Sequence, residues 1–454
     1  MSFFYSVFGF LIAIAVLVAV HEFGHFWVAR KLGVKVLRYS VGFGKPLWKK
    51  VAGEDQIEYV IAAIPLGGYV KMLGEGSGEP IAEHEKHRAF DNQPVWKRSL
   101  IVAAGPGINF LFAIILFMLL GMMSERQLIP VFGEFSQKSA VAQAGVLPGD
   151  TLLAIDGKPV RHLLERDLYV FNQVLRKEPL ELLIKSANGS ERIAVVETAE
   201  IPVYNINPAT LMRQLGLVGI APPTTNKISR VLETSPAAEA GLQAGDRFVS
   251  IGSSPITTWF DIKEAIAPSA GKKLDVIVLR DGVELAFSVT PKSVDVDGKT
   301  VGQLGVGGTA ASYPEHQIVN FSRHPLQAFV YGVDRTWQMS ALTFRMLWKM
   351  VTLKVSPKNV SGPITIADVA GQAIQVSWES YVYVLAVISI SLGVMNLLPI
   401  PMLDGGHLLT YVIEVVAGRK VSEKFFELGQ RVGIFLLLCL MSLAFYNDFF
   451  RLLN

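Results

Sequence analysis

His21, Glu22, Phe23, Gly24 and His25 form the one stretch of this chain whose residue types and spacing point directly to chemistry. On an α-helix, residues four apart project about 40° from each other, so His21 and His25 share a face. Two neutral imidazoles placed this way supply two ligands of a tetrahedral zinc ion. Glu22 lies about 100° around the same helix. It can reach a water on the metal without ligating the ion, and zinc lowers the pKa of such a water towards ~7. A catalytic zinc site wants three protein ligands and one open position. The candidate third ligand is Asp404, in the stretch NLLPIPMLDGGH from Asn396 to His407. Pro399 and Pro401 break a helix there and free backbone groups, and Gly405 and Gly406 let the chain turn behind the carboxylate. Asn396 is placed to hydrogen-bond a scissile carbonyl or oxyanion. Alternatives stand beside each reading: a headgroup-layer cap for the His pair, a helix cap for Asp404, a helix–helix hydrogen bond for Asn396, and His407 as a rival ligand.

These residues need elements to hold them, and hydropathy says which. The 454 residues are 51% hydrophobic and 18% charged, with positive mean hydropathy; a soluble domain carries about 25% charge. Four apolar runs stand out: Phe3 to Val20, Ser99 to Met123, Ser380 to Leu403, and Val432 to Tyr446, the last completed by Phe449 and Phe450. Each approaches the ~20 residues that cross a bilayer as helix. The first lacks a basic leading region and a small-residue cleavage site, which argues against a signal peptide. The motif therefore sits at membrane depth, where an ionisable side chain costs about 2.5–3.5 kcal/mol. The lysines and arginines gather between the first two runs and, as Arg419, Lys420, Lys424 and Arg431, between the last two. By the positive-inside rule these loops are cytoplasmic, and both termini and the large middle region face outward. The net charge of +3 and the lack of a basic cluster with interleaved aromatics exclude nucleic acid as an expected partner. Cys439 is the only cysteine, so the outward region holds no disulfide.

The middle region repeats itself. SAVAQAGVLPGDTLLAIDGKPV from Ser139 aligns without gaps with SPAAEAGLQAGDRFVSIGSSPI from Ser235, matching Gly145 with Gly241 and Asp150 with Asp246. Each copy reads as a short helix, a turn ending in Gly-Asp, and a strand. That order resembles the PDZ domain, which captures extended peptides or chain ends by strand addition. LGL at Leu215 and LGV at Leu304 are candidate strands, each of which closes one copy or opens the next. Between the first two runs, Tyr59 to Met72 is β-branched and punctuated by Pro65, Gly67 and Gly68. It is expected to form a hairpin dipping towards the site, with Ser40 to Pro46 as a partner turn and Gly67 and Gly68 positioning substrate. Arg335 to Lys354 is apolar but carries four cations. An interfacial helix and a helix packed on the spans both fit it.

HEFGHFWVAR, YVIAAIPLGGYVKM, NLLPIPMLDGGH and the paired PDZ-like units together resemble the site-2 protease family, in matching order along essentially the whole chain. The resemblance implies a bacterial inner-membrane enzyme holding one Zn2+ through His21, His25 and Asp404, with Glu22 as base. It also implies a substrate: a single-span membrane protein of the anti-sigma-factor kind, cut after another protease has trimmed its outer domain. Signal-peptide remnants are a further substrate class. Ser391 stands where close relatives are expected to carry a second Asn, which would pass part of substrate positioning to Asn109. The expected fold is a multi-pass α-helical membrane protein with four transmembrane helices, a membrane-associated β-hairpin and two α+β PDZ-like domains. Its expected divisions are a first span at 1–30, the hairpin region at 31–97 and a second span at 98–123. The PDZ-like domains follow at 129–222 and 223–310, then an interfacial region at 311–378. A third span at 379–403, a cytoplasmic loop at 404–431 and a fourth span at 432–450 complete the chain. Two other classes compete. A non-catalytic adaptor binding unfolded envelope proteins would need no stoichiometric zinc, and a transporter would show spans repeated in two halves.

Overall fold

The apolar runs become helices longer than the runs themselves, because polar residues at their ends continue the helical hydrogen bonding. The computed structural model describes residues 2–453 apart from 77–80, 124, 162, 187, 203–207, 221–223, 258, 297–298, 311–312, 314–316, 357–361, 420 and 422. Lys420, counted in the charge bias, therefore lies outside the described residues. Helix α1 (Ser2–Lys31) carries the HEFGH motif inside its last three turns, and α2 is Val95–Met122. Between them, β1 (Val36–Ala52) and β2 (Ile57–Met72) form the expected hairpin. Each strand bends on itself: Tyr39 pairs with both Val70 and Tyr59, and Lys49 pairs with Val60. The hairpin is thus a four-segment sheet in the order 46–52, 57–62, 38–41, 68–72. Gly42 and Gly44, with φ of 95° and 85°, make the first bend, a conformation that costs glycine nothing.

Two β-rich units follow, joined to the membrane core by β3 (Glu125–Leu128). The first holds α3 (Ala140–Gln143), β4 (Thr151–Ile155), β5 (Lys158–Pro159), α4 (Asp167–Arg176), β6 (Leu180–Lys185), β7 (Glu191–Val196) and α5 (Pro208–Leu215). Its sheet runs β5-β4-β6-β7. The second holds β8 (Thr224–Val231), α6 (Pro236–Glu239), β9 (Arg247–Ile251), β10 (Ser254–Pro255), α7 (Trp259–Ile266), β11 (Leu274–Arg280) and β12 (Val283–Val289). The ribbon β13 (Lys292–Val296)–β14 (Lys299–Gln303) and β15 (Val306–Ala310) complete it. The sheet order there is β12-β11-β9-β8-β15. Each unit has its own core, one around Phe132, Leu152 and Leu182, the other around Phe248, Val276 and Val278. The repeated residues do the same work twice. Ser139 and Ser235 cap α3 and α6 by accepting from the Ala142 and Ala238 N–H groups. Asp150 accepts from Arg192 and Asp246 from Arg280, and each arginine also donates to the carbonyl of the matched glycine, Gly145 or Gly241. The Gly-Asp pair is therefore a lock within the fold. The two LGL-like segments each close their own unit: Gly133 N donates to Val218 O, and Leu232 N to Gly305 O.

The chain returns through β16 (Ile318–Phe321), which pairs with β3. The basic apolar segment forms a helix that packs on the spans. Helix α8 (Pro325–Val351) runs along α2, with Gly332 against the Ile114 carbonyl and Gly121 against Tyr331, and it reaches Val394 and Pro399. Helix α8 also meets the first β unit, where Leu342 and Met346 join that unit's core, while Leu326, Phe329, Val333 and Trp337 stay exposed along it. Helix α9 (Pro363–Val376) packs on α1 through the paired Gly371–Ser6 and Gly9–Ala370 contacts. The third span, α10 (Trp378–Leu397), stops before Pro399 rather than at 403, because a residue preceding proline is driven out of helical geometry. The cytoplasmic loop expected at 404–431 also needs correction: α11 (Asp404–Ala417) occupies half of it and ends on Gly418 in left-handed geometry. The last helix, α12 (Glu423–Leu453), starts before the apolar run and supplies its missing length. Among the described residues, four helices are long and apolar enough to cross a membrane, namely Phe4–Lys31, Val95–Met122, Trp378–Leu397 and Leu428–Phe450. Near the end of the last, Asp448 accepts from the Gly362, Ile364 and Thr365 N–H groups and so caps α9.

Candidate metal centre

His21 and His25 project from α1 towards α2 because the two helices cross almost in contact. A Cβ on Gly24 would stand 2.3 Å from the Ala104 carbonyl oxygen. Asp404 arrives from the other side as the first residue of α11. The chain leaves α10 at Leu398, turns through Met402 at φ 88°, and re-enters helix at Asp404. Gly405 and Gly406 lie so near the Leu398 and Ile400 carbonyls, at 2.2 and 2.5 Å from where a Cβ would be, that no side chain fits there. Pro401 fills the space beside Gly429 and Gly433 of α12, and Pro399 lines an apolar cavity of about 650 Å³ between α8 and α10. A largely buried Arg98–Glu414 ion pair of 2.8 Å ties α11, the helix that begins at Asp404, to α2.

The three side chains meet. His21 Nε2 lies 3.2 Å from Asp404 Oδ2, His25 Nε2 lies 3.5 Å from the same oxygen, and the two Nε2 atoms are 3.3 Å apart. Four ligand bonds of about 2.0–2.1 Å at tetrahedral angles hold ligand atoms about 3.4 Å apart. Asp404 Oδ2 is buried and makes no hydrogen bond of acceptable geometry, as expected of an atom whose partner is a cation. The donor set, spacing and orphaned oxygen all fit zinc. His407 is not among the grouped ligand atoms.

The outer hydrogen bonds set the tautomers. His25 Nδ1 lies 2.9 Å from the Ile101 carbonyl, which only accepts, so Nδ1 carries the proton and Nε2 keeps its lone pair. His21 Nδ1 faces the Asn109 amide at 3.0 Å, with the Nδ2 end towards it and Oδ1 buried without a partner. A half-turn of that amide would place Oδ1 on a protonated Nδ1 and free Nε2 in the same way. Asn109 is itself held by Ser389 Oγ, which donates to its backbone carbonyl. The expected substrate-positioning residue thus lies behind a histidine. Ser391 donates to Val387 of its own helix. Asn396 is half-buried one residue before the end of α10, and its side chain makes no hydrogen bond among the described residues.

Gly105 escaped the sequence reading. A Cβ there would stand 2.2 Å from His25 Nε2 and 2.9 Å from His21 Cε1, so α2 must carry glycine where it passes beneath the imidazoles. The only signal was its position four residues before Asn109. Glu22 is buried, and the hairpin covers it: a Cβ on Gly68 would be 2.8 Å from Glu22 Cγ and 2.7 Å from the Ser40 carbonyl. A Cβ on Gly67 would meet the Phe43 ring instead. Tyr39 donates to the Ala19 carbonyl, and burial pushes its phenol up to about 12, so it stays a donor at neutral pH. An apolar cleft of about 350 Å³ opens beside the motif, between α1, α2 and Tyr39.

Known proteins resemble this chain over nearly its whole length. The model of peptidase family M50 matches residues 9–440. The Regulator of sigma-E protease RseP of Escherichia coli (strain K12) is 38% identical over 454 residues, covering both chains completely. The Regulator of sigma E protease of Salmonella typhi is 39% identical over the same full lengths. A Putative zinc metalloprotease of Vibrio cholerae serotype O1 is 38% identical over 446 residues, 98% of each chain.

Proposed function

Because the chain belongs to peptidase family M50, and is thus a zinc-dependent metalloprotease of the inner membrane with several spans, we propose that His21, His25 and Asp404 hold one zinc ion per chain and that Glu22 is the catalytic base. The convergence of the three ligand atoms to 3.2–3.5 Å carries this reading. Zinc, when bound, supplies a Lewis acid that acidifies water and polarises a peptide carbonyl. Glu22 takes a proton and returns it to the leaving amine. With its amide given the half-turn described above, Asn109 presents its oxygen to His21 Nδ1, so that Nε2 faces the ion. Gly105 keeps the space beside Nε2 open, and Asn396 binds the scissile carbonyl.

The substrate is the transmembrane segment of a single-span membrane protein. A helical segment hides its carbonyls in i to i−4 bonds, and freeing them in lipid costs several kcal/mol per group without new partners. The 68–72 edge of the hairpin lies against Glu22 and offers those partners by strand addition. Relatives named as regulators of sigma E support an anti-sigma-factor-like substrate; in this reading another protease trims it beforehand, and signal-peptide remnants are a second class. The two β units are PDZ-like domains on the outer side, with the zinc site near the cytoplasmic side, a placement that the Lys/Arg distribution supports. They bind a peptide or chain end, or exclude substrates with bulky outer domains. The test is purified protein in detergent, assayed for bound zinc and for cleavage of a model transmembrane segment beside Glu22→Gln. About one zinc per chain with cleavage lost only in Glu22→Gln is the expected result. A non-catalytic adaptor would show neither zinc nor cleavage.

A further inference from the structure

Away from the zinc site, a groove of about 510 Å³ opens between the start of α8 and the residues leading into α4. Four arginines line it, Arg161, Arg166, Arg323 and Arg335, against the carboxylates of Glu165 and Asp334. Glu165 lies 3.9 Å from Arg323, and Asp167 engages Arg335 at 3.1 Å. Arg161 and Arg166 form no ion pair among the described residues; Arg166 spends one N–H on the Pro159 carbonyl and Arg161 rests on the Phe321 ring. Two guanidinium donors, Arg166 Nε and Arg335 Nε, are buried with no acceptor, although a buried N–H of a charged group without a partner is costly. Arg335 itself is only 9% exposed. The unmet need is for a compact anion offering several oxygens.

Two further observations say which anion. The Arg323 N–H donates to the carbonyl of Gly121, in the last turn of the second span, so the groove lies level with a span's end, which is headgroup depth. Leu326 and Val330 form its lip, 69% and 59% exposed, and continue with Phe329, Val333 and Trp337 as an apolar stripe along α8. That stripe suits an acyl chain, and a free phosphate would have no use for it. We propose that this groove binds the phosphodiester headgroup of an anionic phospholipid, whose tail lies along α8 and whose charge ties the first β unit to the membrane core. The site is independent of the zinc centre.

The full chain in neutral phosphatidylcholine nanodiscs, titrated with short-chain phosphatidylglycerol, tests this, with bound lipid read by native mass spectrometry. Wild type should hold one phosphatidylglycerol in preference to phosphatidylcholine. The double variant Arg161→Gln/Arg166→Gln should weaken binding roughly thirtyfold. Asp334→Asn, which removes a repelling carboxylate from the rim, should tighten it, an effect that misfolding cannot produce. Equal binding by wild type and the double variant, no tightening in Asp334→Asn, or no preference over phosphatidylcholine would each overturn the proposal. Displacement of the lipid by inorganic phosphate at similar concentration would make this a free-anion site and equally refute it.

Discussion

Replacing His21, His25 or Asp404 by Ala removes a ligand, and each variant should lose bound zinc in a metal assay. Glu22→Gln should keep the metal and lose turnover by about 10²–10⁴-fold, since it only moves protons. Asn109 belongs to a different class. If its oxygen fixes the His21 tautomer, Asn109→Leu should weaken zinc binding by about 10–100-fold, while Asn109→Asp, which keeps an acceptor, should restore most of it. Unchanged zinc affinity in Asn109→Leu would return this residue to substrate positioning. At this scale the sequence was readable wherever spacing within one helix carried the chemistry, as in HEFGH. Asp404 was reachable because a carboxylate beside broken helix at membrane depth has few idle explanations. Gly105 was not readable: its meaning is a distance to His25 across a helix crossing, and no spacing along α2 encodes that.

The hairpin shows what patterning along an element misses. Its existence follows from β-branched residues and glycines, but the double bend that sets 68–72 beside α1 depends on pairings between segments. Gly68→Ala should damage cleavage of helical substrates while leaving zinc in place, because its methyl would press on Glu22 and on the Ser40 backbone. Normal rates on both helical and unwound substrates would reduce the hairpin to scaffolding. The spans were legible from hydropathy, yet α11 was not, since its polar start and short apolar face resemble a loop. In the second β unit, burial works against the Asp246 charge, but hydrogen bonds from Arg280 and from the Gln243 N–H outweigh it and hold the carboxyl below its ordinary 3.8. The folded state then binds that proton less readily than the unfolded one. The stability from this pair is present above the ordinary value and lost as pH falls through the folded one. Asp246→Asn should therefore lower this unit's melting temperature at pH 7 and flatten its acid dependence below about pH 4.

Across the whole molecule, the β units and the bundle are coupled through α8, which touches α2, α10 and the first unit's core. Deleting residues 131–307 should let the enzyme cut substrates that keep an intact outer domain, if the units act as a filter. Slower cleavage of trimmed substrates, with intact ones still refused, would favour capture instead. The duplication was legible because the same cap and the same Gly-Asp lock serve both copies, whereas the packing of α8 was open, its charges reading equally well as interfacial.

The cap that Asp448 places on α9 has a temporal side. Helix α12 is translated after every other element described, and α9, which it caps, braces α1, the helix bearing His21, Glu22 and His25. Of the described elements, the first made is thus secured by the last made. While the ribosome still holds α12, the brace on α1 lacks three hydrogen bonds to its leading turn. A nascent chain, or one cut short by a premature stop, would enter the bilayer with its hydrolytic motif already present but unsecured. Biosynthesis itself would then delay the moment at which a membrane-embedded hydrolase becomes competent.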